Sequence, residues 1–163
     1  MKRTCRYVAL VVAALLIGTF VDRAAFGQLA PNAPKDQPKK ITQKQQLARL
    51  DDAIAPYVSA AKKTYPDARA RFNSGLPRGE HLYVTTRLID SNGVFEQAFI
   101  QVKTIADGQI AGTIATRLTI VTEFKAGQSY TLPEKDLLDW LISKPDGSEE
   151  GNVVGKFLDT YRP

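Results

Sequence analysis

The chain has 163 residues, 44% of them hydrophobic and 24% charged. This composition fits one globular domain and excludes both a wholly disordered chain and a membrane bundle. The formal net charge is +5, but residues 1–27 hold Lys2, Arg3, Arg6 and Arg23 against Asp22 alone, and the remainder carries 18 basic and 16 acidic residues. The basicity belongs mainly to the leader and to Lys35, Lys39 and Lys40, which argues against a nucleic-acid partner.

The first 27 residues read as a secretory signal. A basic start precedes an apolar run from Tyr7 to Val21, too short for a spanning helix, which needs ~20 residues. Ala25-Phe26-Gly27 places small residues at the two positions a signal peptidase reads, so cleavage is expected before Gln28. An uncleaved N-terminal anchor is the other reading of the same run. The single cysteine, Cys5, lies before the apolar run, so a cleaved chain has no disulfide and no thiolate metal site. The expected location is therefore outside the cytoplasm, periplasmic or secreted, with no membrane span once the leader is removed.

Residues 28–45 contain Pro31, Pro34 and Pro38 with several lysines, the composition of an extended, solvated tether. A single globular domain is expected over 46–163. Leu47, Leu50, Ile54, Val58, Ala61 and Tyr65 recur at helical spacing. Pro56 and Pro66 interrupt this pattern, so it predicts separate helices, the last over Asp67 to Phe72 and ending at Gly75.

From His81 the period becomes two. Leu82, Val84, Thr86 and Leu88 share one face, and Asn92-Gly93 signals a hairpin. The partner strand runs from Val94 to Thr104, with Glu96, Ala98, Ile100 and Val102 on one side. After Asp107-Gly108 a third strand is expected from Ile110 to Ile120, with Gly112 marking a bend or bulge. A short strand follows at Ser129 to Leu132, then a helical turn or loop at Pro133 to Asp136. The apolar stretch Leu137 to Ile142 holds the only tryptophan, Trp140. Pro145-Asp146-Gly147 forms a turn, and a last short helix is expected over Asn152 to Thr160. The fold class is α+β: N-terminal helices, an antiparallel hairpin-connected sheet of four or five strands able to curl into a half-open barrel, and a short C-terminal helix.

The chemistry-bearing patterns are sparse. His81 is the only histidine and fits a surface position at a strand start as well as a general base. No nucleophile elbow, phosphate loop or metal-ligand spacing occurs, so no cofactor and no metal are expected. Asp136 and Asp139 are three apart and would share a helical face, as paired hydrolytic carboxylates do. Gly151 and Asn152 precede a helix, where free N–H groups bind an anion or Asn152 caps the helix. Asp139-Trp140 pairs a carboxylate with a stacking face, suited to a sugar, a peptide or a cation, although a lone tryptophan among leucines also fits a core. The candidate binding residues are thus Asp139, Trp140, Gly151 and Asn152.

The run Asp139-Trp140-Leu141-Ile142, with Pro145-Asp146-Gly147 and Glu150-Gly151-Asn152, has a counterpart elsewhere. Together with Ala70-Arg71-Phe72, Ile110-Ala111-Gly112 and Lys125-Ala126-Gly127, it resembles the family called domain of unknown function 2314, including its YegJ-like exported members. The resemblance covers roughly residues 50–160 and implies a compact α+β domain behind a signal peptide, with no activity assigned. Phe99 stands near the place where such proteins often carry a tryptophan in the second strand, so no site is carried over there. The sequence favours a non-enzymatic binding or protein-interaction module, with an unidentified protein, small-molecule or glycan partner. The alternatives are a carboxylate-dependent hydrolase of cell-envelope glycan or peptide, and an inhibitor that presents an apolar patch.

Overall fold

A computed structural model describes residues 44–162 of the chain. The expected signal peptide and nearly all of the expected tether lie outside the described residues. In chain order the elements are α1 (Lys44–Ser74), β1 (His81–Ile89), β2 (Phe95–Ala106), β3 (Gln109–Ile114), β4 (Ser129–Pro133), β5 (Asp139–Ser143), β6 (Glu149–Gly151) and α2 (Val153–Thr160). A 3-10 turn at Glu134–Asp136 leads from β4 towards β5. The fold is α+β: one antiparallel sheet with two helices. The sheet has six strands in the order β4-β3-β2-β1-β5-β6 and is not closed into a barrel.

Antiparallel pairing follows from the turns. Asn92-Gly93 closes β1 onto β2, where Gly93 takes a φ of 76° and the Asp90 carboxylate accepts from Asn92 and Val94 N–H, each at 2.9 Å. β1 then pairs β2 on one side and β5 on the other, with Val84 opposite both Ile100 and Trp140. Leu82, Val84, Leu88, Ala98, Ile100, Val102, Trp140 and Ile142 therefore share one face. They form the main core with Ala61, Tyr65 and Ala68 of α1. Leu50 and Ile54, on the N-terminal half of α1, pack instead against Val154 and Leu158 of α2. A smaller cluster of Tyr83, Phe99, Ala115 and Leu141 lies on the opposite sheet face.

Four expectations from the sequence are corrected. The expected succession of helices is one 31-residue helix that runs through Pro56 and Pro66. Each proline removes one N–H bond and costs about 3 kcal/mol in a helix interior. Both rings sit on exposed positions, while Leu50, Ile54, Ala61, Tyr65 and Ala68 stay buried along the other side. Burial of that stripe at ~25 cal/mol per Å² offsets the two lost bonds. α1 also begins at Lys44, two residues inside the stretch read as tether.

The strand count rises from four or five to six, because Leu137 to Ile142 supplies β5 and the Pro145-Asp146-Gly147 turn folds Glu149–Gly151 back on it as β6. The third strand is shorter than expected: it stops at Ile114 rather than Ile120. Gly112 lies opposite a register shift between Val102 and Thr104. A Cβ there would fall 2.1 Å from the Gln101 carbonyl oxygen, so only glycine fits at this approach.

Candidate functional site

The four candidate residues come together in space, at the joint where β6 turns into α2. Asp139 opens β5 and is 1% exposed. Its Oδ1 accepts from Trp140 N–H at 2.9 Å. Its Oδ2 accepts from Val154 N–H at 2.7 Å and Gly155 N–H at 3.3 Å. The carboxylate thus satisfies the orphan donors at the start of α2. Asn152, read as the capping residue, does not use its side chain that way: it sits in the left-handed region (φ 57°, ψ 41°), and its Nδ2 donates to Glu149 Oε2 at 3.0 Å. The anion expected at Gly151-Asn152 is supplied by the chain itself, as Asp139.

Gly151 is required by geometry. Its φ is +84°, and a Cβ would lie 2.4 Å from the Trp140 carbonyl oxygen. Trp140 is 7% exposed and belongs to the main core. Its Nε1 donates to the Ala61 carbonyl and to Thr64 Oγ1, both at 3.1 Å. The indole therefore fastens β5 to α1, and its stacking face is taken up by packing.

Burial pushes the Asp139 carboxyl up to about 6, partly countered by the N–H bonds of Trp140, Val154, Gly155 and Val153. The folded state therefore holds a proton that the unfolded chain releases near 3.8. Between those values stability falls as pH rises, and below about 4 the full gain is present. Melting curves of wild type and Asp139→Asn should diverge accordingly, wild type gaining up to about 3 kcal/mol relative to the variant from pH 7 to pH 4. Parallel pH dependences of the two proteins would contradict this.

Asp136 and Asp139 do not share a helical face, since Asp136 ends the 3-10 turn and Asp139 starts a strand. The two properties wanted of a catalytic carboxylate are divided between them. Asp139 has the raised pKa but is sealed in the joint. Asp136 lines an open groove.

That groove has a volume of about 450 Å³ and lies between α1, the end of β1 and the β4 connection. Its apolar lining comes from Ile89, Leu132, Pro133 and Leu138, and Tyr130 forms part of the wall. Lys62, Arg87 and Lys135 bring three cationic side chains to it, against the single lining carboxylate of Asp136. Lys62 Nζ donates to the Lys135 carbonyl at 2.7 Å, and Thr86 Oγ1 donates to the Asp136 carbonyl at 3.2 Å, so α1 and β1 both hold the 3-10 turn. Arg87 pairs with Asp51 of α1, its guanidinium 5.3 Å above the Phe95 ring, while its buried Nε has no hydrogen-bond partner. Burial, and then the charge of Asp136, raise the pKa of the Tyr130 phenol. His81, at the start of β1, lies opposite Ser143 in the ladder and is not among the groove residues.

A second buried carboxylate escaped the sequence reading as a functional group. Glu96 of β2 is 3% exposed. It accepts from the N–H groups of Thr119, Ile120 and Val121, at 2.7 Å for Ile120, and from Thr119 Oγ1 at 3.0 Å. Burial alone would raise its pKa, but these donors outweigh it and hold the carboxyl below its ordinary value. The same bonds tie residues 119–121, beyond the end of β3, to the side chain of a β2 residue. The signal was present in the sequence: a glutamate in line with Ala98, Ile100 and Val102, on the apolar face of a strand.

Among the described residues no cluster of three metal-ligating side chains occurs, and no helix is long and apolar enough to cross a membrane. No family model, curated protein or solved structure matches the chain.

Proposed function

We propose that the chain is an exported binding module and that the groove between α1 and the β4 connection is its ligand-facing surface. The observation that carries this reading is the groove itself: an apolar lining rimmed by Lys62, Arg87 and Lys135. Concave sites that combine apolar walls with a few convergent polar groups are where small ligands bind. The Asp139-Trp140 pair is set aside as a ligand site, because both side chains are consumed in fastening α2 and α1 to β5. Export rests on the leader read from the sequence. Hydrolysis by carboxylates needs two such groups flanking the scissile bond, and Asp136 is the one carboxylate lining the groove.

The test is a fragment screen followed by amide chemical shifts on the full chain. Shifts should cluster at Thr86, Leu132, Lys135 and Leu138. Clustering elsewhere, or turnover of cell-wall glycan or peptide abolished by Asp136→Asn, would overturn the reading.

A further inference from the structure

We infer that the groove selects a small organic anion carrying a short apolar tail, with a carboxylate or a phosphate monoester as its head. This rests on the groove being the ligand surface, and it adds the chemical class of the ligand. The first argument is charge. The ion pairs formed among the described residues are Arg69–Glu134, Arg71–Glu150 and Arg87–Asp51. Neither Lys62 nor Lys135 takes part in one. Lys62 is held in place by a neutral carbonyl, that of Lys135, so its charge is positioned without being neutralised. One positioned ammonium, that of Lys62, and the exposed ammonium of Lys135 line the groove against one carboxylate, Asp136, and Arg87 adds a guanidinium already shared with Asp51. The local field favours an anion.

The second argument is the lining. Leu132, at 2% exposure, is packed into the core beneath the groove, whereas Pro133 and Leu138 are half-buried and Ile89 is 59% exposed. The groove thus offers apolar surface that an inorganic ion would leave unused. A volume of about 450 Å³ falls within the range of small-molecule sites. An alkyl tail laid on Pro133, Leu138 and Ile89, with its head between Lys62 and Lys135, uses both features. Lysine ammonium groups act here as point charges and set no bidentate geometry, so they accept either head group.

The experiment titrates the full chain with octanoate and octyl phosphate, and with octanol and octylammonium as the neutral and cationic comparisons. Both anions should bind and the two comparisons should not. Lys62→Gln combined with Lys135→Gln, both exposed positions, should weaken binding at least tenfold, with Lys62→Arg alone close to wild type. Tighter binding of octanoate would assign a carboxylate head, and tighter binding of octyl phosphate a phosphate. Octanol or octylammonium binding as well as the anions, or no effect of the double substitution, would overturn the inference. If neither anion binds while fragments still shift the groove amides, the ligand class alone fails. If no fragment shifts those amides, the groove reading fails with it.

Discussion

Glu96→Ala should cost about 3 kcal/mol and release the segment after β3. Removing one side of a buried charged network leaves its partners desolvated and unpaired, and each such donor costs roughly 1–3 kcal/mol. Here the stranded donor is the N–H of buried Val121, with that of half-buried Ile120 partly so, while the Thr119 N–H and hydroxyl, at an exposed residue, return to water. Urea denaturation should show the loss, and hydrogen exchange should locate it, with those three amides losing protection first. The pH dependence has a fixed sign. The folded pKa is depressed, so the contribution is complete above the ordinary carboxyl value of 4.5 and fades as pH falls through the folded value. Wild type and variant should therefore converge in acid. A variant of wild-type stability with protected 119–121 amides would show that the carboxylate does not hold the loop.

Trp140→Ala should be at least as damaging, at about 3–5 kcal/mol, the usual cost of emptying a buried aromatic site. The indole fills the space between β5 and α1, and the Gly151 backbone lies against its ring. Trp140→Phe should cost less. The Ala61 carbonyl sits within α1, and the Thr64 hydroxyl retains bonds to the Ala60 and Ala61 carbonyls. Because Trp140 is the only tryptophan, its fluorescence reports this site directly. Emission in the native protein should be blue-shifted and poorly quenched by acrylamide, moving red on unfolding. A red-shifted, readily quenched native signal would place the indole in solvent and reopen the Asp139-Trp140 pair as a binding site.

The strands and turns were legible because their signals are local. Alternation over Leu82 to Leu88 and the Asn92-Gly93 and Asp107-Gly108 turns fix the β1–β2–β3 meander from neighbouring residues alone. Errors arose where a distant partner decides the outcome. Proline punctuates an isolated helix, but the sheet and α2 hold α1 together across Pro56 and Pro66. Ile120 alternates correctly with its neighbours, yet its N–H is claimed by Glu96, 24 positions earlier. The candidate site was legible as a grouping and not as a role: Asp139, Trp140, Gly151 and Asn152 do meet, but the capping partner of Asp139 lies 15 residues onward. The groove was not legible at all, since Lys62, Arg87 and Lys135 come from three separate segments and none stands in a motif.

The strand order carries a kinetic consequence. Strands β1 to β4 form a meander in chain order, but β5 must return across the sheet to pair with the far side of β1. A chain emerging N-terminus first can assemble four strands and still leave the outer edge of β1 bare. Leu82, Val84 and the Ala61 carbonyl then lack Trp140 and Ile142, and α1 lacks the helix that covers Leu50 and Ile54. An open edge and an uncovered helix stripe keep such an intermediate from closing into a cooperative unit. The segment from Asp139 to Thr160 acts as a latch, so the domain stays threadable until β5 and α2 have been made.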